Sequence, residues 1–361
     1  MNNLNWWEPR LYKKDLKLLN EVISKNFVNE GDFNSLFENK ISKILKTKYV
    51  CTTTSGTSAL FLALKAINIK HNDEVLIPNC TFIATANAVR LAGAKCVFID
   101  IDPKSLNLNP ELIEQKITKK TKAIIPVHIS GRACDLVAIK KIANKFKLKI
   151  IEDAAEAFNS NFNDKKLGTI GDIGCFSLSP NKIITTGQGG FLTTNSLKLY
   201  TKIKQLKDQG RFKRGSGGKD LHKFEGFNFK FNDIQASIGL GQLNYINSRT
   251  DHQKRMYNIY YDKLSKLNFI SFYKFNTDMG ELPLWIDVKL ENINKFIKYL
   301  EIFKIPYRKF WLPITTQKEY FEKEMYPNAF DTSKNSLWLP SSFNLTFKQI
   351  NYICKIIQKF K

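Results

Sequence analysis

Several features are missing from this 361-residue chain. No run of roughly 18 or more uncharged apolar residues occurs, so the sequence predicts no membrane-spanning helix. The N-terminal segment has no apolar signal core, and we expect no export signal there. The six cysteines form no C-x-x-C pair, and several lie in apolar runs, as free buried thiols of a reducing compartment do. These absences predict a cytoplasmic protein that does not insert into a membrane.

Acidic residues are few relative to basic ones. The chain contains 33 Asp and Glu against 56 Lys and Arg, for a formal net charge of +23. Such an excess often indicates a polyanionic partner. The basic residues, however, are spread along the chain without a block of about five or six like charges. Most of them are lysines, which is consistent with a compositional bias, and we expect no nucleic-acid partner.

The hydrophobic content of 43% is enough for a large core, and the length predicts two unequal domains. From residue 75 to about 195, apolar β-type runs alternate with segments of helical period, which predicts an α/β fold with a mostly parallel sheet. The predicted strands are EVLIP, KCVFID, AIIPVHI, LKIIED, GCFSL and GFLTTN. The pattern changes near residue 251, so we predict a large domain over 1–250 and a smaller C-terminal domain over 251–361.

In parallel sheets the chemistry lies beyond the carboxyl ends of the strands, and three sequence segments are of interest there. The first is TTTSGTSALFLALKAI, in which hydroxyl residues and Gly56 lead into a helix. The free N–H groups of the helix start, together with hydroxyls at Ser55, Thr57 and Ser58, would suit a phosphate. An ordinary capped helix is the alternative, and the Gly-Lys-Ser/Thr of a P-loop is absent.

The second segment is LKIIEDAAEAF, where Asp153 ends a strand that should be central and buried. A buried carboxylate needs a partner, and a cationic ring nitrogen would keep it charged. Capping of the following helix is the alternative role. The third segment, FSLSPNKIITTGQGG, places Lys182 after another strand, 29 residues beyond Asp153 and on the same edge of the sheet. A partly desolvated lysine there could attack a carbonyl carbon, whereas most lysines are solvated surface residues.

One further residue and one further segment are candidates because of the residues around them. Phe82 follows the strand EVLIP in a polar stretch, where an exposed ring could stack on a flat ligand, although core packing is the more common role. Residues 207–227 are polar, basic and rich in glycine, which predicts a long loop. Nothing in the chain predicts a metal site.

Taken in order, SGTSAL, IIEDAAEA, GDIGCFSLSPNKIITTGQGG, FNFKFNDIQASIGLGQL and WLPSS resemble segments of one family. It is the DegT/DnrJ/EryC1/StrS family of sugar aminotransferases that use pyridoxal 5'-phosphate (PLP), and the likeness to its perosamine-synthase-type members covers nearly the whole chain. The resemblance implies the fold of the aspartate aminotransferase type (fold type I). This fold has a mixed seven-stranded sheet, a small α+β C-terminal domain, and a homodimer with active sites at the interface.

The resemblance also assigns roles to residues. Lys182 would be the Schiff-base lysine, and Asp153 the partner of the pyridinium nitrogen. The helix start at Gly56, Thr57 and Ser58, with Ser177, would hold the phosphate. Phe82 would stack on the ring, and Glu156, at a position that is often Gln or His, would reach the ring hydroxyl. Asn228 and Lys230 would act across the dimer interface.

The implied reaction is amino transfer from L-glutamate, which becomes 2-oxoglutarate, to a nucleotide-linked keto sugar through PLP and its aminated form, PMP. NKIITTG resembles members that act at carbon 4 of a 6-deoxyhexose, whereas members that act at carbon 3 tend to have Lys-Asn-Leu-Gly-Ala there. The product would serve surface polysaccharides. A PLP-dependent dehydratase is an alternative, but such relatives have histidine in place of Lys182. A non-catalytic regulatory or nucleic-acid-binding protein is the remaining alternative.

Some positions depart from the family pattern on the substrate side. Gln188 replaces a usual Glu, Ser130 replaces an aromatic residue, and Gln209 replaces a His. In the loop, the cations of Arg211, Lys213 and Arg214 could meet a nucleotide diphosphate or serve only solubility. Arg308 lies in IPYRKFWLP, which resembles a substrate-side segment of the perosamine-type members.

Overall fold

The computed structural model describes residues 4–212 and 221–361. Its strands are β1 Tyr49–Thr53, β2 Glu74–Pro78, β3 Lys95–Ile99, β4 Thr121–Ile124, β5 Lys149–Asp153, β6 Asn161–Phe162, β7 Lys165–Lys166, β8 Ile173–Ser177, β9 Gly190–Thr194, β10 Ile270–Phe272, β11 Ile286–Leu290, β12 Arg308–Lys309 and β13 Ser336–Leu339. Its α-helices are α1 Leu16–Ser24, α2 Asp32–Leu45, α3 Gly56–Ala66, α4 Ala84–Leu91, α5 Leu136–Phe146, α6 Leu197–Lys207, α7 Asp233–Leu243, α8 Ile246–Leu264, α9 Ile293–Ile302, α10 Pro327–Asn335 and α11 Phe347–Ile357.

Seven strands form the main sheet, in the order β1-β9-β8-β5-β4-β2-β3. Strand β9 pairs antiparallel with both β1 and β8, and the remaining pairs are parallel. Six strands therefore point their carboxyl ends to the same edge. The predicted α/β class and the mixed, mostly parallel seven-stranded sheet are confirmed.

The predicted strands coincide with β2, β3, β5, β8 and β9 to within about a residue, but AIIPVHI does not form one strand. Strand β4 ends at Ile124, two residues before Pro126. Proline has no N–H to donate to a neighbouring strand, so regular pairing ends there. The chain stays beside β5 because the Pro126 carbonyl accepts a hydrogen bond from the N–H of Asp153.

The helices show how local sequence signals work. Helix α5 buries Leu136, Ile139 and Ile142 on one face, as its helical period predicts. Helix α11 begins with a capping box, in which Thr346 and Gln349 each cap the other's backbone N–H.

The C-terminal part has its own antiparallel sheet, in the order β10-β11-β13-β12. Its buried apolar side chains form a second cluster, distinct from the cluster that covers the main sheet. Helix α8 connects the two, since Ile246 belongs to the first cluster and Met256 to the second. The helix runs without a break past residue 250, so a boundary between two domains at that position remains our proposal.

All six cysteines are free, and five of them are buried. Burial raises the pKa of the Cys51 thiol to about 12, as expected for inert core thiols. Among the residues described, no helix is both long and apolar enough to cross a bilayer. The same residues contain no group of three or more His, Cys, Asp or Glu that could hold a metal ion.

Candidate active site

A cavity of about 430 Å³ opens at the carboxyl-end edge of the main sheet. The side chains that line it come from the segments after β1, β2, β5 and β8 and from the C-terminal part. The sequence-predicted residues among them are Ser55, Gly56, Thr57, Phe82, Asp153, Glu156, Ser177, Lys182, Gln188 and Arg308. The structure thus brings most of the predicted site together.

One side of the cavity is the start of helix α3. Ser55 is its N-cap, and the N–H groups of Gly56 and Thr57 belong to the first turn, where no intrahelical acceptor exists. A Cβ at position 56 would lie 3.0 Å from the Cβ of Ser177, so any residue larger than glycine would push the helix start and that strand end slightly apart. The Ser177 hydroxyl lies 2.7 Å from that of Ser179, which also lines the cavity. This cradle of N–H and hydroxyl donors fits a phosphate group.

Asp153 ends β5 and is almost completely buried. Its Oδ2 accepts a hydrogen bond from the Thr85 hydroxyl at 2.8 Å, and its Oδ1 accepts one from the N–H of Ala155 at 3.2 Å. Burial raises the pKa of this carboxyl group, although both donors and the charge of Lys182 act in the opposite direction. A carboxylate in this state favours a cationic partner in the cavity.

Lys182 lies in the loop between β8 and β9, and its side chain is 12% exposed. Its Nζ is 3.4 Å from Oε1 of Glu156. A partly desolvated amine beside a buried carboxylate and a phosphate-type cradle fits the chemistry of PLP.

The sequence pattern of the DegT/DnrJ/EryC1/StrS aminotransferase family matches residues 9–358. The chain belongs to this family. It is therefore an aminotransferase with PLP as its cofactor, and the predicted family, enzyme class and cofactor are confirmed.

Individual relatives support the assignment over nearly the full length. A GDP-perosamine synthase of Escherichia coli O157:H7 is 34% identical over 98% of this chain and 97% of its own. A dTDP-3-amino-3,6-dideoxy-alpha-D-galactopyranose transaminase of Aneurinibacillus thermoaerophilus is 29% identical over 97% of this chain and 96% of its own.

Solved structures show the same fold. The aminotransferase from Psychrobacter cryohalolentis superposes with a TM-score of 0.92, at 27% identity and 97% coverage of both chains. A Streptococcus pneumoniae protein solved in a PMP form superposes with a TM-score of 0.94, at 23% identity and 99% coverage of both chains. The predicted fold of the aspartate aminotransferase type is confirmed.

Within this aminotransferase, Glu156 receives hydrogen bonds from three directions. Besides Lys182, the backbone N–H of Ser130 donates to Oε2 and the indole N–H of Trp285 donates to Oε1, both at 2.9 Å. The carboxylate is therefore fixed in place by neutral donors and lies against the lysine amine. We call Asp153, Glu156 and Lys182 the cavity floor.

The sequence analysis missed a group of tryptophans that line the cavity. Trp285, Trp311 and Trp338, which we call the tryptophan wall, line it together with Arg308. The guanidinium carbon of Arg308 lies 5.2 Å from the ring centroid of Trp338 and 5.2 Å from that of Trp6. The WLPSS segment and the tryptophan count were visible in the sequence, but nothing local indicated that these rings meet.

Phe82 and Gln188 lie at the cavity mouth. Phe82 is 55% exposed, which fits a ring that stacks on a ligand better than one that packs in the core. The backbone carbonyl of Gln188 accepts hydrogen bonds from the Thr186 hydroxyl and from Nε2 of Gln235. These bonds fix the backbone turn at the cavity edge.

Ser58 does not line the cavity. Its hydroxyl accepts the N–H of Ser55, and its N–H donates to the Ser55 hydroxyl, so it takes part in the capping box of α3. A phosphate contact through Ser58 stays a prediction.

Asn228, Lys230 and Arg211 also lie apart from the cavity of their own chain. They gather at Asp208, which forms a backbone bridge with Asn228 and ion pairs with Lys230 and Arg211. Asn228 and Lys230 were predicted to act in the cavity of a second subunit. Their position in a single chain does not test that role, which stays a prediction. Lys213 and Arg214 lie outside the described residues.

Proposed function

We propose that this aminotransferase moves an amino group from L-glutamate to a nucleotide-linked 4-keto-6-deoxyhexose and forms the 4-amino sugar for a surface polysaccharide. The observation that carries the proposal is the position of Lys182 and Asp153 in one cavity with the start of helix α3. This arrangement provides an amine, a buried carboxylate and a phosphate cradle within a single space.

The residues present fit PLP. Gly56, Thr57 and Ser177 would hold the phosphate, and Phe82 would lie against the ring. Asp153 would hold a proton on the ring nitrogen. The resulting positive charge would stabilise the Asp153 carboxylate, which burial alone destabilises. When bound, the cofactor supplies an electron sink that stabilises negative charge at the carbon bearing the amino group.

Lys182 has two proposed tasks. Its Nζ would hold the cofactor and, as a free amine, would remove the proton from the α-carbon of the donor. Glu156 holds this amine on the floor, because its carboxylate is fixed by Ser130 and Trp285 and accepts from Nζ. The same residues act in reverse order on the sugar ketone.

The preference for carbon 4 is supported by NKIITTG and by the similarity to GDP-perosamine synthase, since perosamine is a 4-amino sugar. The similarity to a transaminase named for a 3-amino sugar keeps a 3-keto substrate as the second candidate. The buried Nε1 of Trp311 has no hydrogen-bond partner among the described residues, and we propose that it donates to a hydroxyl of the sugar. Arg308 would bind an anionic part of a substrate.

We also propose that two copies form a cytoplasmic homodimer in which Asn228 and Lys230 complete the partner's site. Asn228 is exposed and lies outside the cavity of its own chain, which leaves its amide available to a second subunit. Arg211 would contact the nucleotide diphosphate. Asn228→Ala should weaken PLP binding about tenfold through loss of one hydrogen bond to a charged group, measured by absorbance titration.

A substrate panel tests the function. GDP-, UDP- and dTDP-linked 4-keto-6-deoxy sugars, each paired with its 3-keto isomer, are incubated with the PLP-loaded enzyme and glutamate. We expect 2-oxoglutarate and a 4-amino sugar from one nucleotide series, with the GDP series tested first. Exclusive turnover of a 3-keto isomer would contradict the assignment to carbon 4, and dehydration without amino transfer would contradict the reaction class.

A further inference from the structure

Ser130 connects two carboxylates that belong to different parts of the chain. Its φ of 55° places it in the left-handed region, and it is fully buried. Its backbone N–H donates to Glu156 on the cavity floor, while its hydroxyl donates to Oδ1 of Asp287 at 2.8 Å. The turn that holds Glu156 is thus tied by its side chain to strand β11.

Asp287 accepts hydrogen bonds from three side chains and is 1% exposed. Besides Ser130, the indole N–H of Trp338 donates to Oδ1, and the guanidinium of Arg132 donates to Oδ2. Burial raises the pKa of this carboxyl group, and Arg132 is the strongest of the partners that oppose the shift.

Arg132 is held firmly in turn. Its guanidinium donates to the carbonyls of Tyr273 and Lys274 and lies 3.8 Å from the ring centroid of Phe275. Asp287 is therefore anchored on one side and positions two donors, Ser130 and Trp338, on the other.

Ser130 and Trp338, which both donate to Asp287, are each connected to Glu156. Ser130 reaches it directly through its backbone N–H. Trp338 packs against Trp285 with ring centroids 5.8 Å apart, and the Trp285 indole N–H donates to the other carboxylate oxygen of Glu156. The two neutral donors that fix Glu156 beside Lys182 are therefore both linked to Asp287, one through Ser130 and one through the contact of Trp338 with Trp285.

We propose that Asp287 is a positioning residue for amino transfer, which holds Ser130 and the tryptophan wall so that Glu156 keeps the Lys182 amine in place. The proposal rests on the proposed role of Lys182. A lysine has a long flexible stem, and a displacement of about 1 Å at a reacting group can reduce the rate by about 100-fold. The Glu156 carboxylate can hold the Lys182 amine in place only if its own donors, Ser130 and Trp285, stay in position.

Asp100 provides a matched control for a purely structural role. It is also a buried aspartate that joins the first part of the chain to the C-terminal part, because it accepts the N–H groups of Asn328 and Ala329 in α10. It does not line the cavity. Asp100→Asn therefore disturbs a comparable connection without touching the floor or the wall.

The tryptophans give a readout that is independent of cofactor and activity. All five lie in one cluster, with Trp6 and Trp7 each 4.8 Å from Trp285, and Trp311 5.0 Å from Trp338, between ring centroids. Near-ultraviolet circular dichroism of the tryptophans in the cofactor-free protein therefore reports on the wall and its immediate surroundings.

The test compares Asp287→Asn with Asp100→Asn. We expect Asp287→Asn to change the tryptophan dichroism of the cofactor-free protein. In the PLP-loaded enzyme it should lower kcat and the single-turnover rate with glutamate about tenfold, with less than about a twofold change in KM for the sugar. Asp100→Asn should lower only the unfolding midpoint. A lower midpoint for Asp287→Asn with wild-type dichroism and kcat would overturn the proposal.

Two milder variants apply if Asp287→Asn does not fold. Ser130→Ala removes one donor to Asp287 but keeps the backbone N–H to Glu156, and Trp338→Phe removes the other donor but keeps a ring. Each should reduce kcat about threefold, and wild-type kcat in both would overturn the proposal. If the wild-type enzyme itself gives no reaction with glutamate, the proposed function fails. If it reacts and the Asp287 variant matches the Asp100 control, only the role of Asp287 fails.

Discussion

The cavity floor and the tryptophan wall line the same cavity but differ in origin. Of the floor residues, Asp153 ends β5 and Glu156 follows it, while Lys182 follows β8, the neighbour of β5 in the sheet. The wall comes from positions 285, 311 and 338, which the C-terminal sheet brings together because β13 pairs with both β11 and β12. The floor carries titratable groups, and the wall lines the cavity with aromatic rings and includes the buried Trp311 N–H, which has no partner among the described residues. We therefore expect changes in the floor to affect chemistry and changes in the wall to affect substrate choice.

Lys182→Ala should have the largest effect, because it removes both the covalent attachment and the proton carrier. We expect turnover to fall about 10⁴-fold or more, while PLP still binds through the remaining contacts. Rapid-quench assays measure the loss, and absorbance titration measures binding. A borohydride-reducible linkage to PLP that survives in this variant would contradict the assignment of Lys182.

Asp153→Asn should lower turnover about 10³-fold, since a neutral amide cannot hold the ring proton by charge. Burial raises the folded-state pKa of Asp153 above its unfolded value, so its stabilising contribution is present below the unfolded pKa and is lost as pH rises through the folded pKa. At neutral pH the cofactor-free variant should therefore be about 1 kcal/mol more stable than the wild type. Near-normal turnover of the loaded variant would contradict the role of Asp153.

Trp311→Phe tests the wall and should have a smaller effect. The ring is kept, but the unpaired indole N–H is removed, so we expect the KM for the sugar to rise about tenfold through loss of one hydrogen bond. The single-turnover reaction with glutamate should stay within about twofold of the wild type. Equal losses in both half-reactions would show that wall and floor do not separate function as proposed.

Glu152→Gln should affect turnover least, because Glu152 precedes Asp153 but does not line the cavity. It is buried and accepts from His128 Nε2 and from the N–H groups of Gly168 and Gly171. Burial raises its pKa, but these donors outweigh burial, so the folded-state pKa is lowered.

The sign of the pH effect at Glu152 follows from that shift. Its stabilising contribution is present above the unfolded pKa and is lost as pH falls through the folded value. Denaturant unfolding at neutral pH should show a loss of about 2 kcal/mol in Glu152→Gln, and the difference from the wild type should shrink below about pH 4.3. A difference that grows in acid would contradict this account.

Asp153 and Lys182 were predictable from the sequence because one ends and the other follows a strand that local composition identifies, whereas Glu156 came only from the family resemblance. EVLIP, LKIIED and GCFSL are strands in the structure, and parallel strands deliver the residues after them to one edge. The strand AIIPVHI was predicted to continue past Ile124 because the residues around Pro126 have β-type composition. Proline has no backbone N–H to pair with, and the regular strand ends before it. Strand β1 and helices α1 and α2 were not predicted, although Asp32–Leu45 covers β1.

The wall was not predictable, because its contacts are tertiary. No period or motif relates Trp285 to Trp338, and their rings meet only through the pairing of β11 with β13. The link from Ser130 to Asp287 spans 157 positions for the same reason. Asn228 was named through the family resemblance, but its proposed contacts lie in a second subunit and are not visible in a single chain.

The most direct test of the central claim is to identify the lysine that carries the cofactor. The protein is loaded with PLP, reduced with borohydride, digested and mapped by mass spectrometry, with a glutamate-treated sample as the control. We expect the label on Lys182 alone among the 48 lysines, and we expect glutamate to abolish labelling by converting the cofactor to PMP. A label on another lysine, or labelling that glutamate does not change, would contradict the account.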